Sequence, residues 1–554
     1  MPEYLSPGVY VEEVDRGPRP IEGVGTAMPV FVGFTEKASA EENIDGEIVS
    51  RNLLNKTELV TNMTQFKERF GGFVEGAYLP NAVYGYFLNG GNRCYVHSVK
   101  TTPKAEVALL NAEGKPQLLV RARQSGFDGL RLRVKIEYTN GKPPVAPKKS
   151  PAKGKEGDPP PKTAPKAPAT DPFTLIVERQ GVTGAWMPKE TLRDVVLAEV
   201  ETAAGEKEVR VTYKNNKAPT LIALMVPLDT KLPLAKLWPA EQEQTLKIQQ
   251  KLMAPATYGD FQGDVQERAG IDGLAEFTDI TMVVVPDLMT VMPGKSLDLD
   301  MVKAVQTAII GHCEMMGDRV AILDSPPNMS PQQIKKWRVD TAGFDSSYAA
   351  LYYPWIEIMD PVNNRPMKLP PSGHIAGVWA RSDNTRGVHK APANEVIRGA
   401  LGLTNSITKG EHDTLNPVGV NCVRIFPGMG IRIWGARTLS SNPLWRYINI
   451  RRLFNYVEKS IELGTMWTVF EPNDPALWGR IRRDVGAFLS GVWRSGALFG
   501  GTPSEAFYVK CDEEINPPEQ RDVGQLVVEI GMAPVKPAEF VIFRISQWAP
   551  GAGE

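Results

Sequence analysis

Short apolar runs and helical patterns alternate in two separate parts of the chain. Pro29–Phe34 (PVFVGF) and Thr281–Val285 (TMVVV) are apolar runs with the length of a buried strand. Residues 298–316 carry an apolar stripe with the period of a helix, and Val320–Leu323 (VAIL) follows as another strand. Strands that alternate with helices predict a parallel sheet with helices on its faces.

The same rhythm continues on both sides of these elements. Ser330 is a good N-cap for a helix that runs to about Ala342, because Pro331 takes the first helical position and Gln333 can complete a capping box. The remaining elements are helices over Phe66–Phe70 and Asn81–Leu88 and strands over Arg93–Val99 and Tyr348–Met359. Together they predict one α/β domain, built from residues 21–100 and 256–360.

The intervening residues 101–255 lack this rhythm and are predicted to form a peripheral insertion. Within it, residues 141–172 contain ten prolines and seven lysines among 32 residues. Such a composition cannot bury enough apolar surface to offset the entropy lost on ordering. We therefore expect a solvated, extended linker inside the insertion.

The last third of the chain has its strands and helices in separate runs. Helices are predicted over 451–464 and 474–493. The predicted strands are Val420–Phe426, Ile431–Trp434, Phe507–Lys510, Gln525–Ile530 and Phe540–Trp548. This grouping is typical of an α+β domain, which we place at residues 361–532.

Each end of the chain carries a strand pattern beside a predicted hinge of glycine or proline. Gly17 and Pro18 follow the first strand in an arm of residues 1–20, and Pro534 and Pro537 precede the second in an arm of residues 533–554. The strand residues are Val9, Tyr10, Val11, Glu12, Glu13, Val14, Phe540, Val541, Ile542, Phe543, Arg544 and Ile545. A lone apolar strand needs backbone partners, either in its own domain's sheet or at the sheet edge of a neighbouring molecule.

Composition narrows the possible functions of the 554-residue chain. It has 63 Lys and Arg against 64 Asp and Glu, a formal charge of −1, which argues against a dedicated nucleic-acid binder. The 42% hydrophobic content is enough for several cores. Four scattered cysteines predict no zinc site and suit a reducing compartment. The first residues, MPEYLSPGVYVEEV, predict no signal peptide, and no run of 18 apolar residues predicts a membrane span.

We find no motif that asks for a catalytic or cofactor site. Phosphate-loop, dinucleotide-binding, HExxH and GxSxG patterns are absent, and none of the five histidines has metal-ligand spacing with another. Asp324-Ser325 imitates part of a hydrolase triad, but a turn explains it more simply. The sequence predicts no cofactor, no metal and no enzyme. A hydrolase and a cell-surface binding module stay open as alternatives.

Several segments resemble a known family, the contractile tail sheath proteins of myovirus-type phages and bacterial contractile injection systems. The first segment lies near the start of the chain and reads YLSPGVYVEEV, followed by GVGTAMPVFVGFTEKA. The others, in the last third, are NTRGVHKAPAN, NPVGVNCVRIFPGMGIRIWGARTL, YINIRRLFNYVEKSI and MAPVKPAEFVIFRISQ. The resemblance covers residues 1–100 and 256–554.

This resemblance implies a structural subunit that stacks helically around an inner tube in a metastable long form. Contraction would drive the tube through a target envelope. The implied partners are further copies of the chain, the inner tube, and baseplate and terminal cap proteins, without nucleic acid or membrane insertion. It also implies assembly in the bacterial cytoplasm within a virion or injection particle, a subtilisin-like central domain without a triad, and terminal arms exchanged between neighbours.

A helix in the last third is the predicted contact with the tube. Around Arg451–Leu463, the apolar face holds Leu453, Val457 and Ile461, and the other face is expected to be solvated. The candidate contacts on that other face are Arg451, Arg452, Asn455, Lys459 and Glu462. A plain solvated face is the simpler reading, and in either case reversing Arg451 and Arg452 to glutamate should leave the fold intact.

Overall fold

The structure is a computed structural model that describes residues 20–544, with gaps at 45–46, 112–113, 139–171, 182–183, 202–206, 213–218, 227–238, 249–255 and 292–293. The predicted N-terminal strand, the hinge at Gly17 and Pro18, Ile545 and nearly all of the Pro/Lys-rich linker lie outside the described residues. The described residues form a mixed α/β chain with several cores.

An eight-stranded sheet forms the centre of the molecule. From one edge to the other, its strands are Gly430–Ile433, Val420–Phe426, Ala349–Tyr353, Val320–Asp324, Met282–Val284, Pro29–Thr35, Cys94–Thr101 and Thr57–Val60. The six inner strands are parallel and each edge strand is antiparallel to its neighbour. Val30 and Val32 pack into one apolar layer and Phe31 into the other, so both faces of the sheet are covered.

Helices and short sheets cover this central sheet. The α-helices are Met63–Phe70, Leu79–Leu88, Tyr258–Gln262, Leu299–Met316, Pro331–Lys336, Ser372–Arg386 and Lys409–Leu415, with 3₁₀ turns at Asp272–Glu276, Pro286–Met289 and Asn416–Val418. Two smaller sheets pair Ser39–Ile44 with Glu47–Asn52, and Ile356–Met359 with both Pro366–Leu369 and Ala400–Leu403.

The predicted domain boundary at residue 360 is wrong. The strands Val420–Phe426 and Gly430–Ile433 belong to the central sheet, and the buried side chain of Leu439 packs into one of its apolar layers. Residues 361–439 are therefore part of the α/β domain. The strand predicted over Tyr348–Met359 is two strands interrupted at Pro354, because proline has no N–H to donate to a sheet. The helix from Pro331 changes to a π-helix over Trp337–Ala342.

Two buried carboxylates hold helices to the carboxyl ends of the central strands. Asp287 accepts hydrogen bonds from the N–H groups of Phe34 (2.6 Å), Leu79 (3.2 Å) and Tyr78, at the start of helix Leu79–Leu88. Asp324 accepts from the N–H (2.9 Å) and hydroxyl (2.5 Å) of Ser372, the first residue of helix Ser372–Arg386. These contacts fix both helices against the sheet.

We expect Asp324 to make stability depend on pH. Burial raises the pKa of its carboxyl to about 7, opposed by the hydrogen bonds from Ser372, whereas an unfolded chain has about 3.9. Between these values the folded chain binds one more proton. The free energy of unfolding therefore falls as pH rises, by up to about 1.4 kcal/mol per pH unit, and levels off above pH 7.

The variant Asp324→Asn tests this, because its amide can still accept from the Ser372 N–H and can donate to the hydroxyl. Urea unfolding at pH 5, 6, 7 and 8 should show the variant gaining stability relative to wild type as pH rises to 7. Other titrating groups are the same in both proteins and cancel. Parallel curves over this range would contradict the assignment.

The insertion has its own core. A five-stranded sheet has the order Lys207–Thr212, Trp186–Glu201, Phe173–Gln180, Leu132–Glu137 and Glu243–Thr245, and a three-stranded sheet has the order Ile222–Met225, Pro116–Ala122 and Glu106–Leu110, with a short helix at Phe127–Leu130. Their buried side chains form a cluster separate from the central layers. Glu106 and Lys247 pair as a β-bridge, so the incoming and outgoing chain segments lie side by side.

The C-terminal part packs two long helices on a two-stranded sheet. The long helices are Ile448–Thr465 and Pro475–Arg494, and the strands are Phe507–Lys510 and Glu529–Met532. Two short helices lie at Pro503–Ala506 and Pro518–Asp522, and 3₁₀ turns lie at Pro443–Trp445 and Met466–Thr468. Ile21, near the first described residue, is buried in the core of this part. The N-terminal segment therefore runs between the two domains.

Candidate assembly surfaces

The structure separates the residues that a hydrolase would need. Asp324 binds Ser372 rather than Ser325, and His312 lies against Arg319, with 3.2 Å between their nitrogen atoms. Among the described residues, neither His312 nor His389 has a hydrogen bond to a serine or aspartate side chain. In the same part of the chain, no group of three or more His, Cys, Asp and Glu side chains could hold a metal ion.

A buried histidine illustrates the structural role of these residues. His97 accepts a hydrogen bond from the Gly270 N–H (2.9 Å) and contacts the Thr57 hydroxyl (2.9 Å). Burial lowers its pKa to about 4, so the ring is neutral near pH 7 and can accept that bond. The histidine thus joins a loop to the central sheet. The helices in the described segments are all too short or too polar to span a membrane.

The most unusual surface is an apolar tail. Phe540, Val541, Ile542 and Phe543 are 72%, 69%, 80% and 83% exposed. Phe540–Arg544 form no strand in the single chain, although the sequence predicts one. A contiguous exposed apolar segment marks a binding surface more often than an isolated exposed side chain does.

The residues immediately before this tail are held by their own chain. The N–H of Ala533 donates to the carbonyl of Ala506 (2.9 Å), and the N–H of Val535 donates to that of Ala497 (3.1 Å). Pro534 forms a bridge with Leu498. Pro534 and Pro537, the predicted hinge residues, both lie before a further anchor at Glu539, and their role as a hinge stays a prediction.

Glu539 is that anchor. Its carboxylate accepts hydrogen bonds from Arg437 Nε (2.9 Å) and Nη2 (2.7 Å), from Asn416 Nδ2 (2.7 Å) and from the Tyr447 hydroxyl (2.9 Å). A bidentate arginine contact of this kind is among the stronger hydrogen-bonding arrangements in proteins. The exposed tail thus begins at the next residue, Phe540.

The helix predicted to contact the tube buries the start of its polar face. Arg452 forms a bidentate ion pair with Asp383, at 2.9 and 2.5 Å, and each of these side chains is 3% exposed. The guanidinium also donates to the carbonyl of Thr26 (3.0 Å) and lies over the ring of Trp379, 4.7 Å from its centroid. Arg452 therefore joins the C-terminal helix to the central domain and to the N-terminal segment.

The adjacent arginine is enclosed by aromatic rings. The Arg451 guanidinium lies 4.4 Å from the ring centroid of Trp445 and 4.6 Å from that of Tyr348, and its Nε donates to Asn455 Oδ1 (2.7 Å). Cation–π contacts of this kind stabilise a buried guanidinium. Arg451 thus holds the C-terminal helix against the central domain.

The prediction that Arg451, Arg452 and Asn455 form a solvated contact face is wrong, because all three are buried within the chain. Their spacing on an amphipathic helix could not reveal this, since Asp383 and Tyr348 lie on distant elements. Lys459 pairs with Asp318 (3.6 Å) and with Glu462 (3.2 Å). Of the five candidates, Glu462 is the one that is clearly exposed.

Comparison with known proteins identifies the family. The model of the phage tail sheath protein central domain matches residues 272–439, and that of the phage tail sheath C-terminal domain matches residues 440–547. The chain belongs to the contractile tail sheath family. Its sheath relatives include a prophage major tail sheath protein of Pseudomonas aeruginosa (27% identical) and the tail sheath proteins of Vibrio phage KVP40 (28%) and Enterobacteria phage T4 (24%).

This chain aligns with less than two thirds of the length of each of these sheath relatives. The alignment with the Pseudomonas protein covers 47% of this chain and 65% of that protein. The alignment with the KVP40 protein covers 37% of this chain and 30% of that protein, and the alignment with the T4 protein covers 42% of this chain and 36% of that protein. Together, the two family models cover residues 272–547. The insertion at 101–255 lies outside that range.

Solved sheath structures share the fold over nearly the whole chain. The anti-feeding prophage helical sheath in the contracted state has a TM-score of 0.54 at 21% identity and covers 98% of this chain and 99% of that one. The PVC sheath complex of an extracellular contractile injection system, also contracted, has a TM-score of 0.51 at 21% identity and covers 99% of both chains. The sheath tail protein of Desulfitobacterium hafniense has 0.52 at 12%, covering 91% and 94%.

Two hydrogen-bonding side chains mark the boundary between the two sheath domains. Arg338 Nη2 donates to the carbonyl of Leu439 (3.1 Å), and Asp345 accepts from the N–H (2.8 Å) and hydroxyl (2.5 Å) of Ser441. The central domain therefore holds both sides of the 439/440 junction. Together with Arg451 and Arg452, these contacts join the sheath domains through several buried groups.

Proposed function

We propose that this chain is the repeating subunit of a contractile sheath, which assembles as a helical cylinder around an inner tube and shortens to drive that tube through a target envelope. Family membership and a shared fold over nearly the whole chain support this role. We also infer that the chain is not an enzyme, as sheath proteins are structural. Nothing in the described residues favours the hydrolase or cell-surface alternatives.

The exposed tail is the observation that carries the proposal. The exposed apolar side chains of Phe540–Phe543 are unfavourable in water, so the segment gains stability by adding to the sheet of a neighbouring copy. A candidate acceptor is the sheet of Phe507–Lys510 and Glu529–Met532, because a sheet of only two strands is marginally stable by itself. Transfer of the tail from copy to copy is a head-to-tail contact and propagates as a helix.

The N-terminal arm is proposed to act in the same way, from its sequence pattern alone. Residues 9–14 lie outside the described residues. The first described segment is firmly held, since the Val24 N–H donates to the Ser460 hydroxyl (3.1 Å) and Ile21 is buried. The predicted arm of residues 1–20 would therefore leave from a fixed point between the two domains.

The surface that faces the inner tube also stays a proposal. With three of the five predicted contacts buried, Lys459 and Glu462 alone offer little charge. The exposed side of helix Pro475–Arg494 carries Arg482, Arg483 and Arg494. We propose this basic side as the contact for an acidic partner, weak enough per ion pair to be released on contraction. Contacts with baseplate and cap proteins, cytoplasmic assembly and the subtilisin-like description of the central domain remain predictions.

Proline substitutions in the tail test the proposal. Val541→Pro with Phe543→Pro removes two backbone donors from the arriving strand without touching either folded domain, and should abolish cylinders in electron micrographs of the purified protein. The matched control, Val541→Ala with Phe543→Ala, keeps those donors and should form cylinders. Normal cylinders from the proline variant would refute strand donation, and their absence from wild type under all assembly conditions would refute the sheath role.

A further inference from the structure

Residues 533–539 connect the two domains before the tail leaves the body of the molecule. Ala533 and Val535 are hydrogen bonded to Ala506 and Ala497, which belong to the C-terminal domain. Four residues further on, Glu539 binds Arg437 and Asn416 of the central domain, as well as Tyr447 of the C-terminal domain. The base of the tail therefore crosses the domain boundary.

Arg437 is itself fixed to the central sheet. Its N–H donates to Asn421 Oδ1 (2.7 Å), and Asn421 Nδ2 donates back to its carbonyl (2.8 Å). Asn421 is fully buried on strand Val420–Phe426 and is in register with Tyr352 of the next parallel strand. A short chain of hydrogen bonds thus leads from Glu539 to the middle of the sheet.

The charges around Glu539 favour the ionised form of its carboxylate. Partial burial would raise the pKa of Glu539, but the hydrogen bonds from Arg437 and Asn416 and the positive charge of Arg437 outweigh it, so the pKa lies below its ordinary value. Glu539 is therefore ionised at neutral pH. Arg437 also donates through Nη1 to the carbonyl of Asn416 (3.2 Å), which holds the guanidinium in place for the carboxylate.

From these contacts we infer that Glu539 is the positioning residue that anchors the donated tail to the central domain. This inference rests on the proposed sheath function. A neighbour that pulls on Phe540 then pulls, through Glu539 and Arg437, on the Asn421 strand, as well as on the C-terminal domain. The pivot of the arm lies after Glu539, so a bound neighbour stays coupled to the rigid central sheet.

Spin-label distances in the full chain test the anchor. All four native cysteines are buried, so labels can be placed on cysteines introduced at Val541 and at the exposed Lys303 of helix Leu299–Met316. In this background, Glu539→Ala should broaden the distance distribution at least twofold. Glu539→Gln keeps part of the hydrogen bonding and should broaden the distribution less. Tyr447→Phe removes one of the four hydrogen bonds to Glu539 and should also broaden the distribution less than Glu539→Ala.

Assembly of the unlabelled variants supplies the functional measurement. Glu539→Ala should lower the thermal midpoint of the unassembled chain by no more than about 6 °C, because a hydrogen bond to a charged group contributes about 1.5–3 kcal/mol and each kcal/mol shifts the midpoint of a large domain by about 2 °C. It should reduce the number of cylinders at least tenfold, with partial rescue by Glu539→Gln. The matched control is Glu276→Ala, which removes an exposed ion pair with Arg268 on the central domain and should change neither measurement.

The outcomes separate this inference from the proposed function. An unchanged distance distribution in Glu539→Ala overturns the anchor. So does a broadened distribution with cylinders equal to wild type in number and length, because the tail would then need no anchor. If wild type itself forms no cylinders, the sheath proposal fails, while the distance measurement still decides whether Glu539 holds the tail to the central domain.

Discussion

Replacing Arg452 with alanine will lower the free energy of unfolding by about 3–5 kcal/mol. The change leaves the Asp383 carboxylate buried without its bidentate partner, and the carbonyl of Thr26 loses a donor. Removing one member of a buried ion pair costs this much because the remaining charge is poorly solvated. Denaturant unfolding of the purified, unassembled chain measures the loss.

A matched control lies on the neighbouring helix. Arg480 pairs with Glu471 at 3.4 Å, and both side chains are well exposed. Arg480→Ala should therefore cost no more than about 1 kcal/mol. Equal losses for the two alanine variants would show that the Arg452 pair is hydrated rather than buried. Because Arg451 and Arg452 are both buried, we now expect that reversing them to glutamate disturbs the fold.

Replacing Asp287 with alanine will cost at least about 3 kcal/mol of the free energy of unfolding. Its carboxylate is the acceptor for the N–H groups of Phe34, Tyr78 and Leu79, and each buried donor left without a partner costs about 1–3 kcal/mol. The approach is close, because a Cβ on Gly33 would collide with Asp287 Oδ2.

The control for Asp287 is another aspartate at the start of a helix. Asp300 lies in the first turn of helix Leu299–Met316 and is exposed, so Asp300→Ala should cost no more than about 1 kcal/mol. Both variants can be compared by urea unfolding at one pH. A loss for Asp287→Ala as small as that for Asp300→Ala would mean that water replaces the missing carboxylate.

Local patterns predicted the elements better than their membership of sheets. The pattern places strands Val420–Phe426 and Phe507–Lys510 at the residues where the structure has them, because both runs are rich in β-branched and aromatic residues. The pattern contains no information on which sheet a strand joins. The pattern therefore assigns Val420–Phe426 to the wrong domain, since the strand pairs in parallel with Ala349–Tyr353 of the central sheet.

The candidate contact sites show the same limit more strongly. Helical period separates Leu453 and Val457 from the arginines, but it cannot show that Asp383, 69 residues away, neutralises Arg452 inside the molecule. The aromatic enclosure of Arg451 likewise comes from Tyr348, on a different element. Glu539 gave no signal in sequence, because an isolated glutamate gains significance only from partners that folding brings to it.

The β-bridge between Glu106 and Lys247 has a consequence for how such a cylinder can be modified. The two segments that enter and leave the insertion lie side by side. Any polypeptide placed between them therefore has closely spaced ends and does not strain the central sheet. We expect this site to accept inserted polypeptides of very different length, from a short peptide loop to a whole foreign domain. It offers a natural graft point for decorating every subunit of the particle.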